Sequence, residues 1–139
     1  MDGKMDGKRA NAIFRAFSDE TRLRILHLLK LEEMCVGDLV TILDLPQPTV
    51  SRHLSYLRNA ELVETRKEGL WRFYRLAPVD NQLQERLFGC LGRCFQDIPT
   101  LEEDMARAAD LRKSGASCCP EVAQNNSAEA LGEQPGACC

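Results

Sequence analysis

Histidine is scarce in this chain. Only His27 and His53 occur among 139 residues. Aromatic residues make up only 6%. No run of about eighteen apolar residues exists, which excludes a membrane-spanning helix. Residues 1–8 repeat Met-Asp-Gly-Lys and contain no apolar core. No secretory leader is therefore expected, and the expected location is the cytoplasm, where thiols stay reduced. No Cys-x-x-Cys spacing occurs, and no nucleophile–base constellation is visible. A metallochaperone or thiol enzyme is thus a remote reading, and the chain is expected not to be an enzyme.

What is present is an ordinary globular mix, 44% hydrophobic and 28% charged, with seven cysteines. The length suits one domain plus an appendage. An odd cysteine count rules out a fully paired framework within one chain, so the cysteines read as thiols or metal ligands first. The net charge of −3 hides an uneven distribution. Residues 46–76 carry a net +3, whereas residues 77–139 carry −5. The local field governs attraction to a polyanion, and the centre of the chain is basic.

The apolar spacing of Ala12, Ile13, Ala16 and Phe17 predicts a first helix over 11–17. Ser18 and Asp19 offer an N-cap for a second helix running through Leu31. Gly37 and Asp38 open a short helix that stops at Asp44-Leu45-Pro46. Gln47-Pro48 starts another, because proline suits a first helical turn. Val50, Leu54 and Leu57 form its buried face. Gln47, Thr49, Ser51, Arg52, Ser55 and Arg58 remain largely outside. Amides, hydroxyls and arginine on one free face suit base edges and phosphates.

Two β-prone runs, 62–66 and 70–76, flank Lys67-Glu68-Gly69 and predict a hairpin. Beyond Pro78, an apolar stripe through Leu83, Leu87, Cys90, Leu91, Cys94, Phe95 and Ile98 predicts a long helix over 80–98 that ends at Pro99. Thr100-Leu101-Glu102-Glu103 has the pattern of a capping box for one more helix, to about Lys113. The composition after Ser114 predicts a flexible tail. The expected organisation is a disordered 1–9, a domain over 10–99, an added helix over 100–113 and a cysteine-bearing tail over 114–139. The fold class is mostly α with a small β-hairpin. Helix, short helix, tight turn, helix and basic hairpin make a winged helix-turn-helix.

Asp19-Glu20-Thr21-Arg22-Leu23-Arg24-Ile25-Leu26, Gln47-Pro48-Thr49-Val50-Ser51-Arg52-His53-Leu54-Ser55-Tyr56-Leu57, Lys67-Glu68-Gly69 and Tyr74-Arg75-Leu76 together resemble the ArsR/SmtB family over residues 10–98. The resemblance implies a homodimeric repressor paired through its first and last helices. It also implies a palindromic double-stranded operator and release when a metal or metalloid inducer binds. By the same resemblance, Gln47, Thr49, Ser51, Arg52 and His53 line the recognition helix, and Arg66, Lys67 and Arg72 belong to the wing. His53 also reads as a packing residue between helices.

The arsenic branch of that family often carries Cys-Val-Cys-Asp-Leu before the recognition helix. Here the matching stretch is Cys35-Val36-Gly37-Asp38-Leu39, which keeps only the first thiol. One thiol cannot hold a three-coordinate metalloid, so Cys35 reads as a buried small residue or a single ligand. Cys118-Cys119 and Cys138-Cys139 are vicinal pairs. Adjacent Cα atoms lie about 3.8 Å apart, short of the roughly 4.4–6.8 Å that disulfides prefer. Such a pair is a strained disulfide but two nearby soft donors, suited to arsenic(III), antimony(III) or cadmium. Some ArsR-like repressors similarly use a C-terminal vicinal pair. Cys118 and Cys119 are the expected pair, and the third ligand is open among Cys35, Cys90, Cys94, Cys138 and Cys139. Residues 80–98 lack histidine, so no zinc site is expected.

The expected function is repression of an arsenic-resistance operon, relieved by arsenic(III), with antimony(III) as a second candidate inducer. A thiol-based redox or persulfide sensor of the same fold is the alternative.

Overall fold

The computed structural model describes residues 5–117. Its elements are α1 (Gly7–Phe17), α2 (Glu20–Leu31), α3 (Val36–Leu43), α4 (Gln47–Asn59), β1 (Val63–Glu68), β2 (Trp71–Leu76), α5 (Gln82–Leu91) and α6 (Pro99–Ser114). The first helix starts earlier than its apolar spacing suggests. Asp6 caps it, accepting from the Arg9 amide at 2.9 Å, so residues 7–9 are helical rather than disordered. Asp19 caps α2 in the same way, accepting from the Arg22 amide at 3.1 Å.

Five consecutive residues of α2, from Ile25 to Leu29, are buried. A helix buried on all sides must lie at the centre of the domain. Packed around it are Ile13 and Ala16 of α1, Leu39 and Ile42 of α3, Val50, Leu54 and Leu57 of α4, and Phe88 and Leu91 of α5. Between α3 and α4 the chain turns at Asp44, which takes the left-handed conformation at φ 59°. This makes the tight turn of the helix-turn-helix.

β1 and β2 pair antiparallel, from Val63 with Leu76 to Glu68 with Trp71. A two-residue loop closes the hairpin, and Gly69 supplies its positive φ of 64°. One isolated β-bridge helps tie the wing back to the body. Met34 and Tyr74 exchange two backbone hydrogen bonds, of 3.0 and 2.8 Å. Next to this bridge, buried Cys35 and Phe73 form a small cluster with Trp71.

Two sequence expectations fail near the C-terminal side. The fifth helix ends at Leu91, capped by Gly92, and residues 92–97 are turns. Gln84, Phe88 and Leu91 are the buried residues of that helix, and Leu83, Leu87 and Phe95 of the predicted stripe pack against the core partly buried. Thr100 does not cap α6 either. Ile98 is its N-cap, with no side-chain hydrogen bond, and Pro99 takes the first position, where its missing N–H costs nothing.

α6 is fixed by charge as well as by Leu101 and Ala108. Arg24 grips Asp104 through two hydrogen bonds of 2.9 Å. Asp104 is fully buried, and its hydrogen bond raises the Arg24 pKa. Arg107 of α6 donates to the Ile42 carbonyl at 2.8 Å. Helix α6 therefore runs beside α2 and α3.

His27 sits in the core with no hydrogen-bond partner at Nδ1. Burial lowers its pKa, against an opposing pull from Asp104. The unfolded chain then binds a proton before the folded one does as pH falls below about 6.5. Stability should drop over that range, and His27→Leu should flatten the slope of urea midpoint against pH. A wild-type midpoint that stays constant from pH 7 to pH 5 contradicts this.

Candidate nucleic-acid interface and thiol site

The outer face of α4 is polar for a packing reason. Val50, Leu54 and Leu57 are its buried residues. The remaining positions must face outward or sideways. Gln47, Arg52, Ser55, Tyr56, Arg58 and Asn59 are exposed, and Thr49 and Ser51 are half-buried. Of the expected contact residues, the face thus carries Gln47, Thr49, Ser51, Arg52 and Ser55. Ser55, Arg58, Asn59, Val63, Glu64 and Thr65 line a polar groove between α4 and β1.

His53 is half-buried and points inward. Its Nδ1 lies 3.4 Å from Arg22 Nη1 and 3.8 Å from Asp19. Burial lowers its pKa; Asp19 opposes this, and Arg22 and Arg52 add to it. The ring is held against the N-terminal turn of α2 by these neighbours.

Sequence reasoning missed Arg22 and Tyr56. The Arg22 guanidinium lies 3.9 Å from the Tyr56 ring centroid and donates to the Ala16 and Arg15 carbonyls at 3.1 Å. It thereby locks α4 to the α1–α2 junction. The two partners come from different helices, 34 positions apart, so no local spacing signalled the pair.

In the wing, Lys67 and Arg72 are exposed and opposite one another in register. Arg66 is placed differently. It donates to Glu33 at 2.8 Å, pairs with Glu68 and lies over Phe73. These carboxylates raise its pKa. Its charge is spent on bracing the wing against the segment that leads into α3.

That segment is the meeting point of the molecule. Glu33 holds Arg66, Met34 bridges Tyr74, and Cys35 is the N-cap of α3. Cys35 is fully buried and disulfide-bonded, whereas Cys90 and Cys94 are free. The sequence reads Cys35 as a buried small residue or a single ligand; the disulfide is a third state that this reading did not include. Asp38, in the first turn of α3, accepts a 2.6 Å hydrogen bond from the Ser117 hydroxyl. Helix α6 thus returns the chain to the start of α3. Cys118, Cys119, Cys138 and Cys139 lie outside the described residues. Among the described residues, no group of three or more His, Cys, Asp or Glu side chains is arranged to hold a metal ion.

Residues 19–65 match the bacterial regulatory proteins of the arsR family. The arsenical resistance operon repressor of Escherichia coli K12 is 41% identical over 97 residues, covering 68% of this chain and 83% of that protein. The chain belongs to the ArsR family. HlyU from Vibrio cholerae superposes with a TM-score of 0.57 at 34% identity, covering 66% of this chain and 98% of HlyU. A possible ArsR-family regulator from Mycobacterium bovis, solved as a homodimeric winged helix-turn-helix domain, gives 0.54 at 27% identity over 83% of this chain and 95% of that one. Membership makes this chain a winged helix-turn-helix regulator of transcription. No helix among the described residues is long and apolar enough to cross a membrane.

Proposed function

We propose that this ArsR-family chain is a cytoplasmic homodimeric repressor of an arsenic-resistance operon, released from its operator when arsenic(III) binds the thiols of Cys35, Cys118 and Cys119, the Cys35 disulfide first being reduced by a cellular dithiol or glutathione. One observation carries the reading. The Ser117 hydroxyl is bound to Asp38 in the first turn of α3, and Cys35 caps that same helix. Cys118 follows Ser117 directly in the chain. The vicinal pair supplies two soft donors, and Cys35 supplies the third. Antimony(III) has the same donor preference and is a second inducer of this site.

The operator is read by Gln47, Thr49, Ser51, Arg52 and Ser55 of α4. Lys67 and Arg72 of the wing meet flanking phosphates. Arg66 and His53 position these surfaces rather than touch DNA. An exposed Phe14 on α1, 53% accessible, supports pairing of two copies, as does the homodimeric M. bovis relative. Such a dimer places two recognition helices in successive major grooves, about 34–36 Å apart. Arsenic bound at Cys35 pulls on the short segment joining the wing to α3. Moving that segment tilts wing and recognition helix together and spoils the half-site spacing.

The coordination number tests this. With one equivalent of arsenite in reducing buffer, X-ray absorption should show three sulfurs around arsenic. Cys35→Ser should leave two and reduce operator release. Three sulfurs in that variant would exclude Cys35.

A second reading has an observation of its own. Cys35 is in a disulfide, so an oxidant or persulfide acting on the same sulfurs would make the chain a redox sensor. Diamide or persulfide that frees the operator, while arsenite in reducing buffer does not, would favour it.

A further inference from the structure

Two cysteines are left over from this reading. Cys90 and Cys94 stand one helical turn apart, and the Cys94 amide donates to the Cys90 carbonyl at 2.8 Å. Both thiols are free and line the same concavity. In the sequence they belong to an apolar stripe, where cysteine packs as a small hydrophobe. The structure separates them from that stripe. Helix α5 turns Gln84, Phe88 and Leu91 inward, whereas Cys94 is exposed and Cys90 half-buried. Their surroundings are Gln82, Glu85, Arg86, Gly89 and Arg93, which line a shallow concavity of about 570 Å³. A Cβ built on Gly89 meets nothing within 4 Å, so the space beside the thiols is open. Packing does not account for two free thiols one helical turn apart on a charged surface.

Chelation does. Two thiols one helical turn apart and facing one concavity can close on one edge of a pyramidal centre, the geometry of trivalent arsenic bonded to two sulfurs and one carbon. We propose that Cys90 and Cys94 form a second, independent site for trivalent arsenic bearing one organic substituent, with the substituent lying over Gly89. This site does not depend on the reading of Cys35, Cys118 and Cys119. With phenylarsine oxide as the probe, the arsenic–oxygen bond gives way to two arsenic–sulfur bonds. Both thiol protons leave with the oxygen as one water molecule. Arsenic stays trivalent, and no oxidant or reductant is needed. Inorganic arsenite would leave its third position to water here, so a three-sulfur site competes better for it.

The test uses the full chain with Cys35, Cys118, Cys119, Cys138 and Cys139 all changed to serine. In reducing buffer, mass spectrometry should find one phenylarsine per protomer. Both remaining thiols should alkylate with iodoacetamide in the untreated protein and be protected in the treated one. Cys94→Ser should weaken binding by about 10²-fold or more, because the second bond loses its high effective concentration. Should Cys35→Ser impair folding, the wild-type background serves: Cys90→Ser with Cys94→Ser should lower the phenylarsine stoichiometry by one. Thiols that fail to alkylate untreated, or that alkylate equally with the probe present, would overturn the proposal. Operator release is not part of this readout, so failure of the tail site leaves it unaffected.

Discussion

Asp104→Ala should destabilise the protein by about 3–5 kcal/mol, the usual cost of removing one partner from a buried ion pair. Asp104 has no exposure, and Arg24 reaches it with two 2.9 Å hydrogen bonds. Truncating the carboxylate leaves the guanidinium in a site only 15% open to solvent. Most domains are stable by only about 5–15 kcal/mol, so this loss is a large share. Urea unfolding followed by circular dichroism should show it as a lowered midpoint with an unchanged slope. Replacing both partners by apolar residues, Arg24→Met with Asp104→Leu, should recover much of it. A loss below about 1 kcal/mol would mean that α6 is held by its apolar contacts alone. The pair also docks the helix that leads to Ser117. Below its melting temperature, Asp104→Ala should therefore keep operator binding and lose arsenite response.

The second large effect lies on the reading face. Arg52→Ala should weaken specific operator binding by about 1–3 kcal/mol per half-site, or roughly 2–6 kcal/mol for a dimer on two half-sites. Lys67→Ala should act otherwise. It should weaken specific and random DNA alike and lower the salt dependence by about one phosphate contact per wing. Anisotropy titrations at several salt concentrations separate the two. If Arg52→Ala weakens operator and random DNA equally, Arg52 contacts backbone and not bases.

The helix-turn-helix and hairpin were readable because their signals are local. Val50, Leu54 and Leu57 repeat at helical spacing, Gln47-Pro48 marks a start, and Gly69 marks a hairpin turn. The exposed side of α4 follows from the same periodicity. Where the reading went wrong, the deciding interactions were distant or weakly patterned. Asp6 reaches one turn ahead and starts α1 before any apolar repeat begins. Leu87, Cys90, Cys94 and Phe95 imitate a continuous stripe, yet Gly92 ends the helix. Arg66 counts as a basic wing residue in sequence, but Glu33, 33 positions away, claims its charge. The hydrogen bond from Ser117 to Asp38 spans 79 positions. No spacing rule anticipates it, and the proposal of Cys35 as third ligand rests on it. The residues expected to bind DNA could be read from the local patterns of α4 and the hairpin, whereas the proposed thiol site depends on how α6 packs.

One measurement addresses the central claim directly: arsenite-driven release of operator from a chain ending at Ser117, in reducing buffer, by fluorescence anisotropy. That chain keeps every described residue and loses all four tail cysteines. The account predicts operator affinity equal to the full chain's, and no release at arsenite levels that weaken full-chain binding by roughly 5–150-fold. Release of the shortened chain at those same levels would contradict it.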